Sequence, residues 1–325
     1  MKAIVYTQYG LQDVLQLKEV DKPTPRENEV LIKVHAASVN ASDWEFLTGM
    51  PLYTRMWGLL KPKYQILGSD IAGQVEAVGR KVKKFHPGDA VFGDILGRWG
   101  GFAEYVCAPE DALMLKPAGM TFEEAATIPQ AALVALQGLR DKGKIQPGQN
   151  VLINGAGGGS GTFAVQIAKL FGATVTGVDS TLKLGLMLSI GADQTIDYTQ
   201  KDFTRNEQQY DLILDFVASH SVFDYMRALN PGGRYIMVGG SLSHIFQTFF
   251  LGSLISLTTG KKMGILGAKP NKDLVFMIEL IESGKVNPVI DKRYPLHEVP
   301  EALRHLGEGR AKGKVVISVE PNNKS

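Results

Sequence analysis

Cysteine is almost absent from this chain. The single thiol, Cys107, can neither form an intramolecular disulfide nor supply a thiolate cage for a metal, which excludes a disulfide scaffold and points to a reducing compartment, the cytosol by default. An excess of charge is missing too: 35 Lys+Arg against 33 Asp+Glu leave +2 over 325 residues, no basis for a nucleic-acid groove or an anionic membrane surface. Long hydrophobic runs are missing as well. The most apolar stretch, Ile245 to Leu257, is shorter than the roughly 20 residues that span a bilayer. Gln247, Thr248, Gly252 and Ser253 interrupt it, and it reads as a helix buried at a pocket or a subunit interface. Thr7, Gln8 and Gly10 break the opening apolar run, so no signal peptide is expected. The partner left by these exclusions is a small molecule, with no nucleic acid and no membrane.

What is present is material for a large core, 44% hydrophobic residues, which suits two ordinary domains. The first third reads as β: Val30 to Ala36, Ile71 to Val78 and Asp89 to Gly93 are β-branched runs closed by Gly, Pro or Asp turns, the pattern of a compact β-rich, barrel-like domain. From Thr121 the texture changes. Thr121 to Arg140 is Ala/Leu-rich behind the capping signature Thr121-Phe122-Glu123-Glu124 and reads as helix. Strands at Gln149 to Asn154, Thr174 to Val178, Gln194 to Asp197, Leu212 to Phe216 and Arg234 to Val238 then alternate with helices at Thr162 to Leu170, Leu182 to Ile190 and Ser221 to Leu229. That rhythm belongs to an α/β, doubly wound parallel sheet. Near Asn287 short strands return, Ile290 to Tyr294 and Lys314 to Val319, so the end of the chain is expected to rejoin the first domain. The expected division is 1–120 with 288–325 as the β-rich domain and 121–287 as the α/β domain, with a frayed tail from Pro321 to Ser325.

The strand Val151-Leu152-Ile153-Asn154 runs straight into Gly155-Ala156-Gly157-Gly158-Gly159-Ser160-Gly161 and then into a helix. Ala156, Gly158 and Gly161 occupy the places of a G-x-G-x-x-G fingerprint with Ala first. Small residues there allow a tight turn, let backbone N–H groups approach a pyrophosphate, and leave the helix start with unpaired donors aimed at the anion. Gly159 and Ser160 complete the turn. Asp179 closes the next strand 18 residues after Gly161, near the roughly 20-residue offset at which an acid meets the adenosine ribose hydroxyls. A dinucleotide cofactor is the consequence. Ser180 and Lys183 follow Asp179, and Tyr198 and Gly239, each just past a later strand, complete the candidate cofactor set.

With that turn, the segments Val39 to Asp43, Leu67 to Gly79, Phe85 to Val91, Gly101 to Tyr105, Gly191 to Asp193 and Gly313 to Ile317 make the whole chain resemble one family. It is similar to the medium-chain dehydrogenase/reductase superfamily, in its zinc-independent quinone oxidoreductase branch. The resemblance implies a GroES-like amino-terminal domain, a Rossmann cofactor domain, an active cleft between them and an NAD(P)H cofactor. It also implies a homodimer formed mainly through the Rossmann domain, with which the apolar run Ile245 to Leu257 is compatible. Asp179 would repel a 2′-phosphate, whereas Ser180 and Lys183 resemble the groups with which NADPH-using relatives hold it; NADH is expected to be slightly favoured over NADPH. Val134 stands where many relatives have a Thr near the nicotinamide, so one polar contact is missing there.

In the zinc-dependent alcohol dehydrogenases of the superfamily the places of Asn40, Ser69 and Asp70 carry Cys, His and Glu. Asn40 and Ser69 are poor zinc ligands, and the six histidines, His35, His86, His220, His244, His297 and His305, are scattered. His86 and His305 are expected on solvated faces. Without a metal to polarise a carbonyl, oxidation of simple alcohols loses its usual device, whereas a quinone or an enone accepts hydride into a conjugated system. The resemblance therefore implies a reductase of such electrophilic acceptors, against two alternatives: an alcohol dehydrogenase-like enzyme, or a cofactor-binding sensor.

Asn40, Ser42 and Asp43 lie just past a strand that the family places at the cleft. Asn40 either donates to a substrate oxygen or the nicotinamide ribose, or caps the next helix; for Asp43 the structural reading is preferred. Trp44, Phe46, Tyr53, Trp57 and Tyr64 either stack on a flat acceptor or pack their loop onto the barrel. Tyr53 is the candidate hydroxyl near the acceptor carbonyl, and Trp99 reads as a structural plug. The purified protein is expected to carry no stoichiometric zinc and to keep its reductase activity in chelator. Elemental analysis that finds one zinc per chain, with turnover lost on chelation, contradicts this.

Overall fold

The computed structural model describes residues 1–319, apart from the side chain of Trp57. The expected frayed tail and that one ring lie outside the described residues. The chain divides into two compact units, the first made of Met1–Gln130, Pro270–Ile278 and the segment from Ile290, the second of Ala131–Lys269 and Glu279–Val289.

The first unit is built on the strand Glu29–Val39, whose residues are nearly all buried. It is covered on both edges, because Asp70–Val78 pairs with it antiparallel on one side and Tyr105–Pro109 and Lys314–Ser318 on the other. A seven-stranded sheet results, running Ile290–Pro295, Lys314–Ser318, Glu29–Val39, Asp70–Val78, Ala90–Asp94 and Met114–Leu115, with Tyr105–Pro109 off that path. Val315 pairs with Val39 and Val316 with Ser38, so the closing strand lies beside the entry to the helix Ala41–Thr48. Ile32, Val34, Ile71, Val91, Phe102, Val315 and Ile317 are fully buried in this core, where burial contributes about 25 cal/mol per Å² of apolar surface. Gly73 cannot be replaced here: a Cβ would lie 2.1 Å from the Lys33 carbonyl oxygen.

Trp99 is buried with φ +61° and packs 4.7 Å from the Phe46 ring, a plug. Trp44, Phe46 and Tyr64 also pack against the core. His305 departs from expectation. It is 5% exposed, with Nε2 2.7 Å from Asp291 Oδ2, because the helix Val299–Gly307 turns Val299, Ala302, Leu303 and His305 inward. His86 stays exposed.

The second unit holds six parallel strands in the order Gln194–Asp197, Thr174–Asp179, Asn150–Asn154, Tyr210–Asp215, Leu229–Met237 and Lys262–Ile265. The order reverses direction beside Asn150–Asn154, the switch point at which doubly wound sheets bind ligands. The expected helix from Thr121 to Arg140 is broken. Its Thr121–Glu124 capping box is present, but the helix Phe122–Ala126 stops before Pro129, which lacks an N–H and disfavours helical Ile128. A new helix starts there, Pro129–Leu136, and widens into a π turn at Gln137–Lys142.

The apolar run is also broken, into Leu242–Phe246, a π turn at Gln247–Leu251 and Gly252–Thr259. Thr248, Gly252 and Ile255 face inward. Phe246, Phe249, Leu254 and Leu257 are exposed, so within one chain the run is covered on one face only, which the helical period explains.

Asp43 bears out its structural reading. It has no exposed surface, and its two oxygens accept the Asn40 and Gly68 N–H groups at 2.7 and 2.9 Å, tying the helix start to a distant loop. Burial pushes the Asp43 and Asp94 carboxyls up from an ordinary 3.8 to about 7. Between those values the folded chain holds more protons than the unfolded one, so the stability these groups lend is full below 3.8 and lost as pH rises through about 7. The thermal midpoint is expected to fall from about pH 5 to about pH 8, and Asp43→Asn to flatten the fall. A midpoint that rises across this window, followed by calorimetry, contradicts that account.

Candidate active site

In the second unit the strand Asn150–Asn154 ends at Gly155, whose φ of +84° turns the chain sharply. The helix Gly159–Leu170 follows with Gly158 as its N-cap. Thr162 donates to the Gly158 carbonyl, and the amides of Gly159, Ser160 and Gly161 precede the first intrahelical donor, free for an anion. A Cβ on Gly161 would lie 2.1 Å from the Gly155 carbonyl oxygen, so the turn closes only around glycine. Ala156 is fully buried, and a Cβ on Gly177 in the next strand would lie 3.1 Å from its methyl group, which is why a small residue fits there.

Asp179 stands behind this turn. Its Oδ2 accepts the Gly157 N–H at 3.0 Å, its Oδ1 accepts the Ser180 N–H at 2.8 Å, and Lys183 Nζ lies 3.2 Å from Oδ1. Both members of the ion pair are buried. Tyr198 donates its N–H to the Asp179 carbonyl and is otherwise exposed. The sequence candidates Ala156, Gly158, Gly159, Ser160, Gly161, Asp179, Ser180, Lys183 and Tyr198 thus converge, and Gly157 joins them through Asp179. Gly239 lies at another strand end, where a Cβ would meet the Phe216 carbonyl oxygen at 2.5 Å. The cradle and its acid fit a dinucleotide: donors for a pyrophosphate, and a carboxylate at the ribose offset.

Sequence reasoning missed Asp215. This buried carboxylate accepts from Asn154 Nδ2 at 2.8 Å, the Val217 N–H at 3.1 Å and the Tyr235 hydroxyl at 3.0 Å, and its backbone carbonyl accepts the Val238 N–H at 2.7 Å. It ties together the ends of three strands around the glycine turn. Burial raises its pKa and that of Tyr235. The readable signal was position alone, since both Asn154 and Asp215 end apolar runs.

In the first unit Asn40 is the N-cap of the helix Ala41–Thr48, and its side chain enters a buried network. Asn40 Nδ2 donates to Asp70 Oδ2 at 3.0 Å, while Asn40 Oδ1 accepts from Lys314 Nζ at 2.6 Å. Asp70 also accepts from Ser38 Oγ and from the Gln130 N–H. Gln130 in turn accepts from Ser42 Oγ at 3.0 Å and donates to Ser69 Oγ at 3.4 Å. Burial raises the Asp70 pKa and Lys314 opposes the rise; burial lowers that of Lys314. Asn40 and Ser42 are therefore brought together. Tyr53 is outside this network, its hydroxyl donating to Glu45 Oε2 at 3.1 Å and pushed up to about 12 chiefly by burial. Asp70, Gln130 and Lys314 were missed as a group, although a lysine opening the buried strand Lys314–Ser318 is itself a signal. Among the described residues no three His, Cys, Asp or Glu side chains are grouped to hold a metal.

Comparison with known proteins agrees in both units. A family model described as "Alcohol dehydrogenase GroES-like domain" matches residues 26–118, and one described as "Zinc-binding dehydrogenase" matches residues 190–317. The chain is 35% identical over 333 residues to 2-methylene-furan-3-one reductase of Solanum lycopersicum, covering 99% of this chain and 80% of that one. It is 32% identical to an NADPH-dependent alkenal/one oxidoreductase, chloroplastic, of Arabidopsis thaliana, covering 98% and 79%. The solved quinone oxidoreductase of Coxiella burnetii superposes with a TM-score of 0.87 at 29% identity, over 98% of this chain and 99% of that one. The chain belongs to the medium-chain dehydrogenase/reductase superfamily, in its zinc-independent quinone oxidoreductase branch.

Proposed function

We propose that this protein is an NAD(P)H-dependent oxidoreductase that reduces quinones or α,β-unsaturated carbonyls by hydride transfer without zinc. The observation that carries the reading is the network of Asn40, Ser42, Ser69, Asp70, Gln130 and Lys314. Amide and hydroxyl groups stand where the zinc enzymes of the superfamily carry Cys and His. The names of the relatives, a furanone reductase and an alkenal/one oxidoreductase, support the same acceptor class.

A bound nicotinamide supplies the hydride. The glycine cradle holds the pyrophosphate through backbone N–H groups and the helix dipole. Asn40, in this proposal, offers an Nδ2–H to the acceptor oxygen, where charge develops as hydride arrives. Conjugation spreads that charge, so one donor and a fixed orientation meet the need that a Lewis acid meets elsewhere. Ser42 holds Gln130, which in turn buttresses Asp70. Tyr53 is proposed at the acceptor, where turning its hydroxyl from Glu45 to the substrate would free a second donor.

Oxidation of NADH with a panel of quinones and enals tests the assignment. Turnover with either class, and none with simple alcohols in the reverse direction, is expected. Cofactor binding without turnover across the panel favours the sensor instead. Asn40→Ala is expected to lower kcat by about 100-fold, as for loss of one preorganised donor.

NADH is proposed to be slightly preferred. Asp179 is held by two N–H groups, and Lys183 is committed to Asp179, so the charge nearest a 2′-phosphate is negative and the base is occupied. Asp179→Ser should release Lys183 and shift the kcat/KM ratio toward NADPH. A wild-type preference for NADPH of about tenfold or more, about 1.4 kcal/mol, contradicts the role given to Asp179.

A cytosolic homodimer completes the proposal. The exposed Phe246, Phe249, Leu254 and Leu257 of the second unit offer large apolar side chains that a subunit interface would cover. Light scattering at micromolar concentration is expected to give twice the chain mass, and a monodisperse monomer overturns this.

A further inference from the structure

We infer that Lys314 is a positioning residue for Asn40: its buried ammonium fixes which edge of the Asn40 amide is the donor, and so sets the hydrogen-bond donor that the substrate meets. The role rests on the proposed use of Asn40 as that donor.

A lysine is out of place at this position by every local criterion. It opens the strand Lys314–Ser318, followed by Val315, Val316 and Ile317, all fully buried, and is itself 1% exposed. Burying an ammonium is costly unless charge and hydrogen bonds compensate. The compensation comes from Asn40 Oδ1 at 2.6 Å, the Val39 carbonyl at 3.4 Å and Asp70 Oδ2 at 3.8 Å. Asp43 and Asp94 add their attraction at longer range.

The two ends of an asparagine amide are almost the same size, and only their hydrogen-bond partners tell them apart. An ammonium has donors and no acceptor, so the atom facing Lys314 must be oxygen. A carboxylate has acceptors and no donor, so the atom facing Asp70 must be nitrogen. Lys314 and Asp70 therefore hold Asn40 from opposite ends, in one orientation. One Nδ2 hydrogen goes to Asp70; the other has no partner among the described residues. With Lys314 replaced by an apolar side chain, Oδ1 loses its charged donor, and the amide is left with Asp70 at its nitrogen end and the helix-cap contact to the Asp43 N–H, a looser hold on its orientation. The orientation is set from the end of the chain, 274 residues away in sequence, because Val315 pairs with Val39.

The alternative is that Lys314 only neutralises buried carboxylates and so holds the fold. A double-mutant cycle separates the two. Lys314→Met, Lys314→Met with Asp70→Asn, Asn40→Ala, and Asn40→Ala with Lys314→Met are each titrated with NADH by fluorescence and then assayed for kcat and KM with the best acceptor of the panel. The Asp70→Asn change keeps the site neutral if the single variant fails to fold.

Both Lys314 variants are expected to bind NADH as the wild type does and to lose kcat by roughly 10- to 100-fold, the usual cost of removing an outer hydrogen-bond partner. Adding Lys314→Met to Asn40→Ala should cost nothing further. Full kcat in the Lys314 variants, or losses that add to that of Asn40→Ala, overturns the positioning role while leaving Asn40 as donor. Failure of both Lys314 variants to bind NADH shows that the ammonium holds the fold and overturns it equally. Full kcat in Asn40→Ala instead removes the donor reading itself, and the inference with it.

Discussion

Asp70 has no surface in contact with solvent, and a carboxylate so placed persists only if donors are brought to it. Hydrogen-bond donors come from three places in the sequence, Ser38 near the end of one strand, Asn40 at a helix start and Gln130 after Pro129, while Lys314 on the closing strand brings a positive charge to 3.8 Å. Ser38, Asn40 and Lys314 are placed by strand pairing already required for other reasons, and Gln130 by the start of the helix Pro129–Leu136. Val39 is opposite Val315, and Ser38 is opposite Asp70 itself. Satisfying one buried charge thereby aligns the residues proposed to face the acceptor, and any of these strands slipping by one residue would turn its contribution to the wrong face.

The second unit solves a related problem with different parts. Asp215 collects donors from Asn154, Val217 and Tyr235, and Asp179 collects them from Gly157 and Ser180. Both acids end parallel strands, where backbone N–H groups fan out and no further strand residue competes for them. The glycine turn is thus held from two sides. Asp215 anchors the strand that enters it, and Asp179 accepts from its middle. Glycine at 157 is needed because a Cβ there would lie 2.7 Å from the Lys183 Cβ, and the ion pair would have to move.

Much of the fold was legible because local signals and tertiary packing agree. Five of the six parallel strands lie at the expected runs, the edge strand Lys262–Ile265 being the one not expected, and the glycine string stands between strand and helix as its composition requires. Pro129 was visible and its effect underestimated: a helix-rich composition hid a break that one missing N–H enforces. His305 was misplaced because a lone histidine carries no pattern of its own; the helix around it decides which way it points, and Asp291, fourteen residues earlier, pairs with it.

By itself the sequence determined the two kinds of texture and the glycine turn between strand and helix, with Asp179 lying 18 residues beyond it; the resemblance to the family added that Asn40 and Ser69 stand where zinc enzymes carry ligands. The textures and the turn depend on residue type and short spacing, which a chain carries openly, and the places of the zinc ligands on what the resemblance implies. Tertiary structure alone decided that Asn40 is held between Asp70 and Lys314, that Gln130 joins Ser42 to Asp70, and that Tyr53 pairs with Glu45 rather than with that network. The reason is distance along the chain: the hydrogen bonds that settle those side chains reach across up to 274 residues, and only the register of the paired strands says which partners meet.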